Sequence, residues 1–524
     1  MTEGVPAASS ALPAGGVEKV YDTRYAWRVM VILAGLVTVV LYVEGMLVPS
    51  LQSIQNEFGV DTGQVSLILS AYIVTGVALS PVVGKLGDIY GKKRILVFVL
   101  VIYAACVSVT GFSPNYTFMV VARAFQGVGL TVFPLGMALV REEFPREMVP
   151  KAQGVLSAMF GVGFAVSIPL GSWVSNSYGW RVTYHTAIPF VILLAILTFL
   201  VVRESTFRRP NTKVDYLGAT LLGGALSFIV LALSEGESWG WTSALTLGFT
   251  ALGVVLLVPL VLWERRYHRQ GGEAILDFRL LKKRNVLVTN LIGLIAGAGM
   301  YLALLSLVYL FETPAPVGFG QSILGAGLSL LPLALAMLIL GPVAGILVSR
   351  MGTKPLTVIG SVLTGLGFLL AIFAKTEDEF LALEFLMGAG ISVLNASVIN
   401  LLVLTVEPRD MGLATSMNSV FRNVGSSLGA PISGSLLATY TVTLAPGFPS
   451  IPALLGFQWS FAIAAIVSLV GAVVVIFGEE VLGPRAGVST ARSGTKSPGS
   501  ETASPTAVLG PGGPERASGG PGTF

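Results

Sequence analysis

The chain has 524 residues, of which 53% are apolar and only 11% are charged, whereas an ordinary soluble domain carries about 25% charged residues. This composition disfavours a soluble enzyme, a nucleic-acid binder and a secreted disulfide-bonded protein. The net charge of +4 is too small to imply an anionic partner, and the single cysteine, Cys106, excludes an intrachain disulfide.

Apolar stretches of about 20 residues, long enough to cross a bilayer as a helix, recur along the whole chain. They are continuous rather than alternating, which favours helices over a barrel and predicts an all-α membrane protein. We expect fourteen transmembrane helices, at residues 27–50, 64–86, 94–112, 117–140, 151–174, 183–202, 215–234, 243–263, 286–311, 321–349, 354–374, 380–405, 411–439 and 456–478.

The distribution of Lys and Arg predicts the orientation of these helices. If the N-terminus is cytoplasmic, 28 of the 32 basic residues fall on the cytoplasmic side, as the positive-inside rule requires. We therefore expect a multi-pass protein of the cytoplasmic membrane with both terminal tails, residues 1–26 and 479–524, inside the cell. The second tail is rich in Gly, Pro, Ser and Thr, which predicts disorder.

The sequence repeats itself at an offset of 261 residues. The segment from Gly84 to Lys93, after the second span, is similar to the segment from Gly345 to Lys354, after the tenth. The same offset pairs Gly127 and Gly129 with Gly388 and Gly390, and an offset of 262 pairs Gly163 and Pro169 with Gly425 and Pro431.

Eight spans separate the repeated segments, and this even number predicts two halves of the same orientation. We expect two pseudo-symmetric six-helix halves, residues 27–202 and 285–478. Residues 203–284 would then form an inserted two-helix hairpin with flanking cytoplasmic loops. Halves related in this way are typical of a transporter that rocks around a central site.

The motifs resemble those of the major facilitator superfamily, and within it the fourteen-span drug:proton antiporters. The loop after span 2 is similar to the signature loop of the superfamily, although Ile89 stands where the family usually has a basic residue. Arg123-Ala-Phe-Gln126-Gly127-Val-Gly129 is similar to the motif of span 4. The residues that carry the loop motif are Gly84, Asp88, Gly91, Lys92, Lys93 and Arg94, and those of the span 5 antiporter motif are Gly163, Pro169 and Gly171.

The resemblance implies roles for these two motifs. In the family, the acid equivalent to Asp88 meets basic residues and a helix N-terminus and holds the halves together on the inside, so Asp88 would be a gate latch. The span 5 motif implies antiport, although Ser167 and Ile168 replace its usual Gly-Pro pair.

Glu44 is the sharpest functional signal, because a carboxyl inside a span is by default functional. Burial favours the neutral form of a carboxyl, so Glu44 could carry a proton or meet a cationic substrate. It could instead be the structural partner of a buried base, or reach the outer surface. Arg123 lies at nearly the same depth, about 25 Å from the cytoplasmic surface. As a fixed charge it could pair with Glu44 or simply anchor spans 1 and 4.

Other polar residues are weaker candidates. Arg422, Asn418, Asn395 and Tyr42 are possible cavity residues, although Asn is also used for helix packing. Glu312 and Glu384 lie near outer span ends, where we expect them to be solvated. The sequence offers no phosphate-binding loop and no metal-ligand cluster, so we expect no cofactor and no metal.

These features together predict a proton-coupled exporter of small hydrophobic or cationic molecules, and not an enzyme. Its partners would be the substrate, protons and the lipid bilayer, with no nucleic acid, and we expect a monomer. The alternatives are an exporter of one endogenous metabolite, lipid or siderophore, a facilitator without proton coupling, and a non-transporting membrane scaffold.

Overall fold

A computed structural model describes residues 23–145, 147–204, 208, 213–272, 274–407, 410–444, 446 and 450–479. The predicted tails therefore lie outside the described residues, except for residues 23–26 and 479. The α-helices, numbered in chain order, are α1 (Thr23–Gly45), α2 (Leu51–Phe58), α3 (Thr62–Tyr90), α4 (Lys92–Thr110), α5 (Tyr116–Gln126), α6 (Val132–Glu143), α7 (Val149–Tyr178), α8 (Trp180–Val201), α9 (Tyr216–Ser234), α10 (Gly236–Trp239), α11 (Ala244–Arg269), α12 (Phe278–Leu281), α13 (Arg284–Glu312), α14 (Ile323–Ser329), α15 (Leu331–Met351), α16 (Thr353–Ala371), α17 (Glu377–Thr405), α18 (Met411–Thr439) and α19 (Leu454–Ile476).

The described residues confirm a helical membrane architecture. Thirteen of their helical stretches are long and apolar enough to cross a bilayer. Helix α18 has 29 residues and coincides with the predicted span 411–439, but it is too polar to be among those thirteen. It packs against α13 and α3, so protein covers much of its polar surface. The sequence did not predict the two short strands β1 (Thr441–Val442) and β2 (Ile451–Pro452), which pair antiparallel after α18.

Three predicted spans contain breaks. The first continues through a 3₁₀ turn, Val48–Ser50, into α2 and so extends to Phe58. A second 3₁₀ turn, Gly127–Thr131, separates α5 from α6, and α14 gives way to α15 at Leu330. Proline is the second residue of both the turn at Val48–Ser50 and α15, where its missing N–H is tolerated. Glu44 and Arg123 each lie just before one of these breaks.

Two turns reproduce the repeat in the backbone. Gly91 joins α3 to α4 with φ +107°, and Gly352 joins α15 to α16 with φ +90°. Each donates its N–H to the carbonyl oxygen four residues earlier at 3.0 Å. Glycine is required because a side chain is strained at positive φ. We call the end of the bundle that carries these two turns the motif face, and the other end the opposite face.

The repeat is also present in the packing of helices. A Cβ on Gly127 would lie 2.3 Å from the carbonyl oxygen of Tyr72, and a Cβ on Gly388 would lie 2.3 Å from that of Leu333. Both partners of the second pair are 261 residues beyond those of the first. The same shift relates the contact of Gly129 with Tyr103 to the contact of Gly390 with Thr364. Close approach of helices through small residues thus follows one pattern in both segments.

The hairpin of α9 and α11 is tied to both of the predicted halves. Helix α9 packs against α3 and α18 as well as α11. At the opposite face, Glu235 accepts hydrogen bonds from Gln64 Nε2 at 2.8 Å and Tyr116 Oη at 3.3 Å. Trp241 Nε1 donates to Thr439 Oγ1 at 3.1 Å. Burial is the main reason that the pKa of the nearby Asp61 carboxyl is raised, and the charge of Glu235 adds to the shift.

The packing predicts equivalent costs at equivalent glycines. Gly127→Ala and Gly388→Ala should each destabilise the protein by about 1–3 kcal/mol, because the added methyl group meets a backbone carbonyl that cannot move aside. Gly154→Ala is the matched control, since it lies within α7 and a Cβ there meets nothing within 4 Å. Thermal unfolding midpoints in detergent would measure the effect. Midpoints of the first two variants no lower than that of the control would contradict the packing.

Candidate functional site

Glu44 lies at the end of α1, next to the predicted antiporter motif. It is the penultimate residue of the helix and only 6% exposed. Helix α7 packs so tightly against this helix end that added Cβ atoms would clash with it. Three pairs of residues make the contact: Leu41 with Gly163, Gly45 with Ser167, and Met46 with Gly171. The structure therefore brings the predicted proton carrier and the predicted antiporter motif together. Pro169 lies inside α7, between two of these contacts.

Arg123 is fully buried and held by α3. Its Nε donates to the carbonyl oxygen of Ile68 at 3.2 Å, and its Nη1 donates to Gln126 Oε1 at 3.4 Å. The guanidinium carbon lies 4.7 Å from the centre of the Tyr72 ring, a distance at which cation–π attraction is significant. Its Nη2 has no hydrogen-bond partner among the described residues. Arg123 is thus positioned by protein contacts, with one donor left over.

Glu44 interacts electrostatically with two arginines from opposite ends of the sequence. Arg123 of α5 and the partly buried Arg422 of α18 both act on its carboxylate. Within the described part of the chain, Glu44 forms no direct ion pair with either. The sequence predicted a Glu44–Arg123 pair, direct or through water. The structure shows no direct pair, and it adds Arg422 as a second cation.

Three buried tyrosines complete the surroundings of this site. Tyr72, Tyr103 and Tyr184 are at most 1% exposed. The hydroxyl group of Tyr72 has no hydrogen-bond partner among the described residues, whereas that of Tyr103 lies beside Gln126 and that of Tyr184 beside Arg123. All three interact electrostatically with Arg123, and the first two also interact with Glu44. Sequence analysis missed them because tyrosine in an apolar span resembles ordinary membrane-facing or packing residues. The feature that the three tyrosines share is their interaction with Arg123, and only the structure shows it.

The signature loop forms an ion-pair network at the motif face. The buried Lys92 ammonium lies 2.7 Å from Asp88 Oδ1 and 2.5 Å from Glu142 Oε1. The resemblance implied that Asp88 meets basic residues and holds the halves together; its ion pair with Lys92 lies within the loop itself, so the role as a latch stays a prediction. Gly84 leaves open space around it, whereas Gly91 has no room for a side chain because the Glu204 carboxylate lies against it.

Glu204 caps α4 at the same face. Its carboxylate accepts the backbone N–H groups of Lys93 at 3.1 Å and Arg94 at 3.2 Å, and lies 3.7 Å from the Arg94 guanidinium. A carboxylate is favoured at a helix N-terminus. The resemblance implied that Asp88 meets a helix N-terminus, and this stays a prediction; the N-terminus of α4 is occupied by Glu204 in this conformation. Glu204 and Glu142 were both missed, since each is distant from the loop in sequence.

The remaining cavity candidates are mostly engaged in packing. Asn418 Nδ2 donates to the carbonyl oxygen of Thr289 on α13 at 2.9 Å, and Tyr42 Oη is 3.0 Å from Thr186 Oγ1 on α8. Asn395 is partly buried in α17. Their participation in a substrate cavity stays a prediction.

The expectation that Glu312 and Glu384 are solvated is wrong. Glu312 is 8% exposed and Glu384 is fully buried. Glu312 is the last residue of α13 and Glu384 lies two turns inside α17, which begins at Glu377, so their burial comes from the helices around them and not from their depth in the predicted spans. The described residues contain no group of three or more His, Cys, Asp or Glu side chains that could hold a metal ion.

An apolar gap lies between the N-terminal and C-terminal segments. Helices α7, α13 and α15 surround it, and its volume is about 10 Å³, room for at most one water molecule. A larger molecule could therefore enter only after these helices move. Six of the side chains that line the gap are Phe164, Ile168, Met300, Leu304, Leu333 and Met337.

Comparison with known proteins identifies the family. Residues 33–333 and 291–509 match the sequence profile of the Major Facilitator Superfamily. The fold agrees with two solved transporters of low sequence identity. The human organic anion transporter MFSD10 has a TM-score of 0.58 at 16% identity, over 86% of this chain and 99% of that one. The nucleoside transporter NupG has a TM-score of 0.60 at 14% identity, over 86% of this chain and 100% of that one. The chain belongs to the major facilitator superfamily of membrane transporters.

Its curated relatives include several bacterial transporters. The multidrug transporter protein MdtP of Bacillus subtilis is 25% identical over 75% of this chain and 73% of its own length. The multidrug resistance protein Stp of Mycobacterium tuberculosis is 26% identical over 79% of this chain and 77% of its own length. An uncharacterized MFS-type transporter of M. tuberculosis, Rv1877, is 30% identical over 75% of this chain, which spans 57% of that relative's length.

The contacts of Arg123 predict that lysine cannot replace it. Arg123→Lys keeps the charge, but its single nitrogen cannot occupy the separate positions of Nε and Nη1, and it has no planar group to stack on the Tyr72 ring. We expect a loss of about 1–2 kcal/mol, measured as a lower thermal unfolding midpoint. Arg94→Lys is the control, because the side chain of Arg94 is 70% exposed. Equal midpoints for the two variants would show that the Arg123 contacts contribute nothing to stability.

Proposed function

We propose that this protein exports small hydrophobic or cationic molecules in exchange for protons, by alternating access. The observation that carries the proposal is the location of Glu44, a buried carboxyl between Arg123 of α5 and Arg422 of α18. Because one arginine of each predicted half interacts with this carboxyl group, a movement of the halves changes the electrostatic surroundings of Glu44 and so its affinity for a proton. Multidrug relatives such as MdtP and Stp support the substrate class, as does the wholly apolar gap between α7, α13 and α15.

Charge balance links the proton to the substrate. With Glu44 ionised, its carboxylate partly compensates Arg123 and Arg422, and a cationic substrate finds a negative group to approach. With Glu44 protonated, the two arginines are uncompensated and repel a cation. Proton and cation therefore compete for the same carboxylate, which is the condition for exchange. The hydroxyl group of Tyr72, which interacts with Glu44 and has no hydrogen-bond partner among the described residues, is available to hydrogen-bond its carboxylate.

The proposed topology has fourteen spans, arranged as two six-helix halves and the inserted hairpin, as in the drug:proton antiporter branch. The domains would be residues 1–26, 27–202, 203–284, 285–478 and 479–524. The motif face would be cytoplasmic, with both termini in the cytoplasm and the protein in the cell membrane. The positive-inside distribution of Lys and Arg supports this orientation, and the 261-residue offset of helix contacts supports the two halves.

Contacts near the opposite face support an inward-facing conformation. Tyr309 Oη donates to Gln55 Oε1 at 2.6 Å between α13 and α2. Gly327 of α14 lies against Ser172 of α7, and Gly434 of α18 lies against Ser66 of α3. These contacts join the two predicted halves on the proposed outer side. Asp88 would then act in the other conformation, as part of the latch that closes the motif face.

The coupling role of Glu44 is tested by Glu44→Gln in purified protein reconstituted into vesicles. The variant should lose ethidium transport against a gradient and keep downhill exchange, and its binding of ethidium should lose most of its pH dependence. Glu237→Gln, at an exposed position of the short helix α10 between α9 and α11, is the matched control. Transport of several unrelated dyes would also separate this proposal from export of one endogenous metabolite. Wild-type uphill transport by Glu44→Gln, with an unchanged pH profile, would refute the proposed coupling.

The latch role of Asp88 predicts a change in conformation rather than in binding. Asp88→Asn removes the carboxylate charge from the closed motif face of the other conformation and should slow transport about fivefold, the factor that corresponds to ~1 kcal/mol, while ethidium affinity stays unchanged. In a Cys106→Ala background, a cysteine at Leu338 should react faster with thiol reagents added at the motif face. Asp378→Asn, exposed at the start of α17, is the control. A large loss of affinity without altered reactivity would make Asp88 a substrate ligand.

A further inference from the structure

The repeat places an acid in the C-terminal segment where the N-terminal segment has its buried arginine. Glu384 lies 261 residues after Arg123. One helical turn further along, Gly127 and Gly388 make their matching contacts with the carbonyl oxygens of Tyr72 and Leu333. Helix α17 therefore presents Glu384 toward α15 in the way that α5 presents Arg123 toward α3.

The polar partners of Arg123 have no equivalents around Glu384. The residues 261 positions after Tyr72, Tyr103 and Gln126 are Leu333, Thr364 and Met387. Thr364 Oγ1 is engaged with the carbonyl oxygen of Gly360 at 2.9 Å. Glu384 is fully buried, and neither of its carboxyl oxygens has a hydrogen-bond partner among the described residues.

No charge compensates Glu384 either. Helices α13, α15, α16 and α18 pack against α17, and burial is the only influence that acts on its carboxyl group. The charged or titratable groups on those four helices, none of which acts on Glu384, are Arg284, Tyr301, Tyr309, Glu312, Arg350, Lys354 and Arg422.

An aromatic cluster lies one turn from Glu384, toward the opposite face. Phe380 of α17 is 5.7 Å from Phe319, 6.4 Å from Phe311 and 6.0 Å from Phe461, between ring centres. Because Phe380 and Glu384 are four residues apart on one helix, the cluster and the carboxyl group share a helix face. An ionised, unpaired carboxylate in such surroundings is expensive, so Glu384 is neutral in this conformation and has a proton bound.

We propose that Glu384 is a second proton-binding site of the transporter, in the C-terminal half, which holds a proton in this conformation and releases it on the proposed cytoplasmic side when substrate binds. The proposal rests on the proposed function and extends it, because export would then return protons through two carboxyl groups instead of Glu44 alone.

The first test needs no transport. Dicyclohexylcarbodiimide reacts with protonated carboxyl groups in apolar surroundings, and mass spectrometry of the purified full-length protein locates the adduct. We expect modification of Glu384 at neutral pH and none of Glu377, which is exposed on the same helix. Failure to modify Glu384, while other buried carboxyl groups react, would overturn the proposal.

The second test separates this site from Glu44. Ethidium added to the purified wild-type protein in weak buffer should release protons, and Glu384→Gln should lower that release to about half, since one of two sites is lost. Glu377→Gln should leave it unchanged. The thermal midpoint of Glu384→Gln should equal or exceed that of the wild type, because glutamine is uncharged and similar in shape. Unchanged release by Glu384→Gln overturns this proposal alone, whereas unchanged release by Glu44→Gln overturns the proposed function.

Discussion

The cost of a charge away from water governs the interior of this protein. A soluble protein can leave a carboxylate or a guanidinium at its surface, but a helix within a bilayer must provide partners or neutralise the group. The two buried centres meet this constraint in opposite ways. Arg123 has a carbonyl oxygen, an amide and an aromatic ring around it, whereas Glu384 has no hydrogen-bond partner among the described residues. The first arrangement holds a permanent charge, and the second suits a group that gains and loses a proton.

The sequence predicted the features that follow from periodicity and composition. Apolar stretches located the long helices, and the 261-residue offset anticipated the matching turns at Gly91 and Gly352. The repeat could be recognised in the sequence because glycine is almost irreplaceable at positive φ and at close helix contacts. Glycine therefore occurs at equivalent positions wherever both segments have the same backbone constraint. The repeat also aligns Glu384 with Arg123. This equivalence was not recognised in the sequence, because an acid and a base at equivalent positions are not similar residues. The polar helix α18 was predicted as the span 411–439 although its apolar signal is weak, and its Gly425 and Pro431 match Gly163 and Pro169 in the repeat.

The contacts between side chains distant in sequence could not be predicted. That Glu204 caps α4 depends on the path of the chain after α8, and that Arg422 acts on Glu44 depends on how α18 meets α1 and α3. The depth of Glu384 was misjudged for a related reason. A span boundary read from hydropathy places a carboxyl near the water, although burial depends on the neighbouring helices that cover it.

The hairpin of α9 and α11 has a mechanical consequence. It is fastened at the opposite face to α3 and α5 through Glu235 and to α18 through Trp241, and these helices belong to different ends of the sequence. Any separation of α3 from α18 at that face must either stretch the hairpin or release one fastening. Because the Trp241 bond is single and lies at an exposed side chain, while Glu235 is buried and holds two donors, the α18 end would detach first. The extra pair of helices would then behave as a hinged flap that stays with the N-terminal segment throughout the cycle.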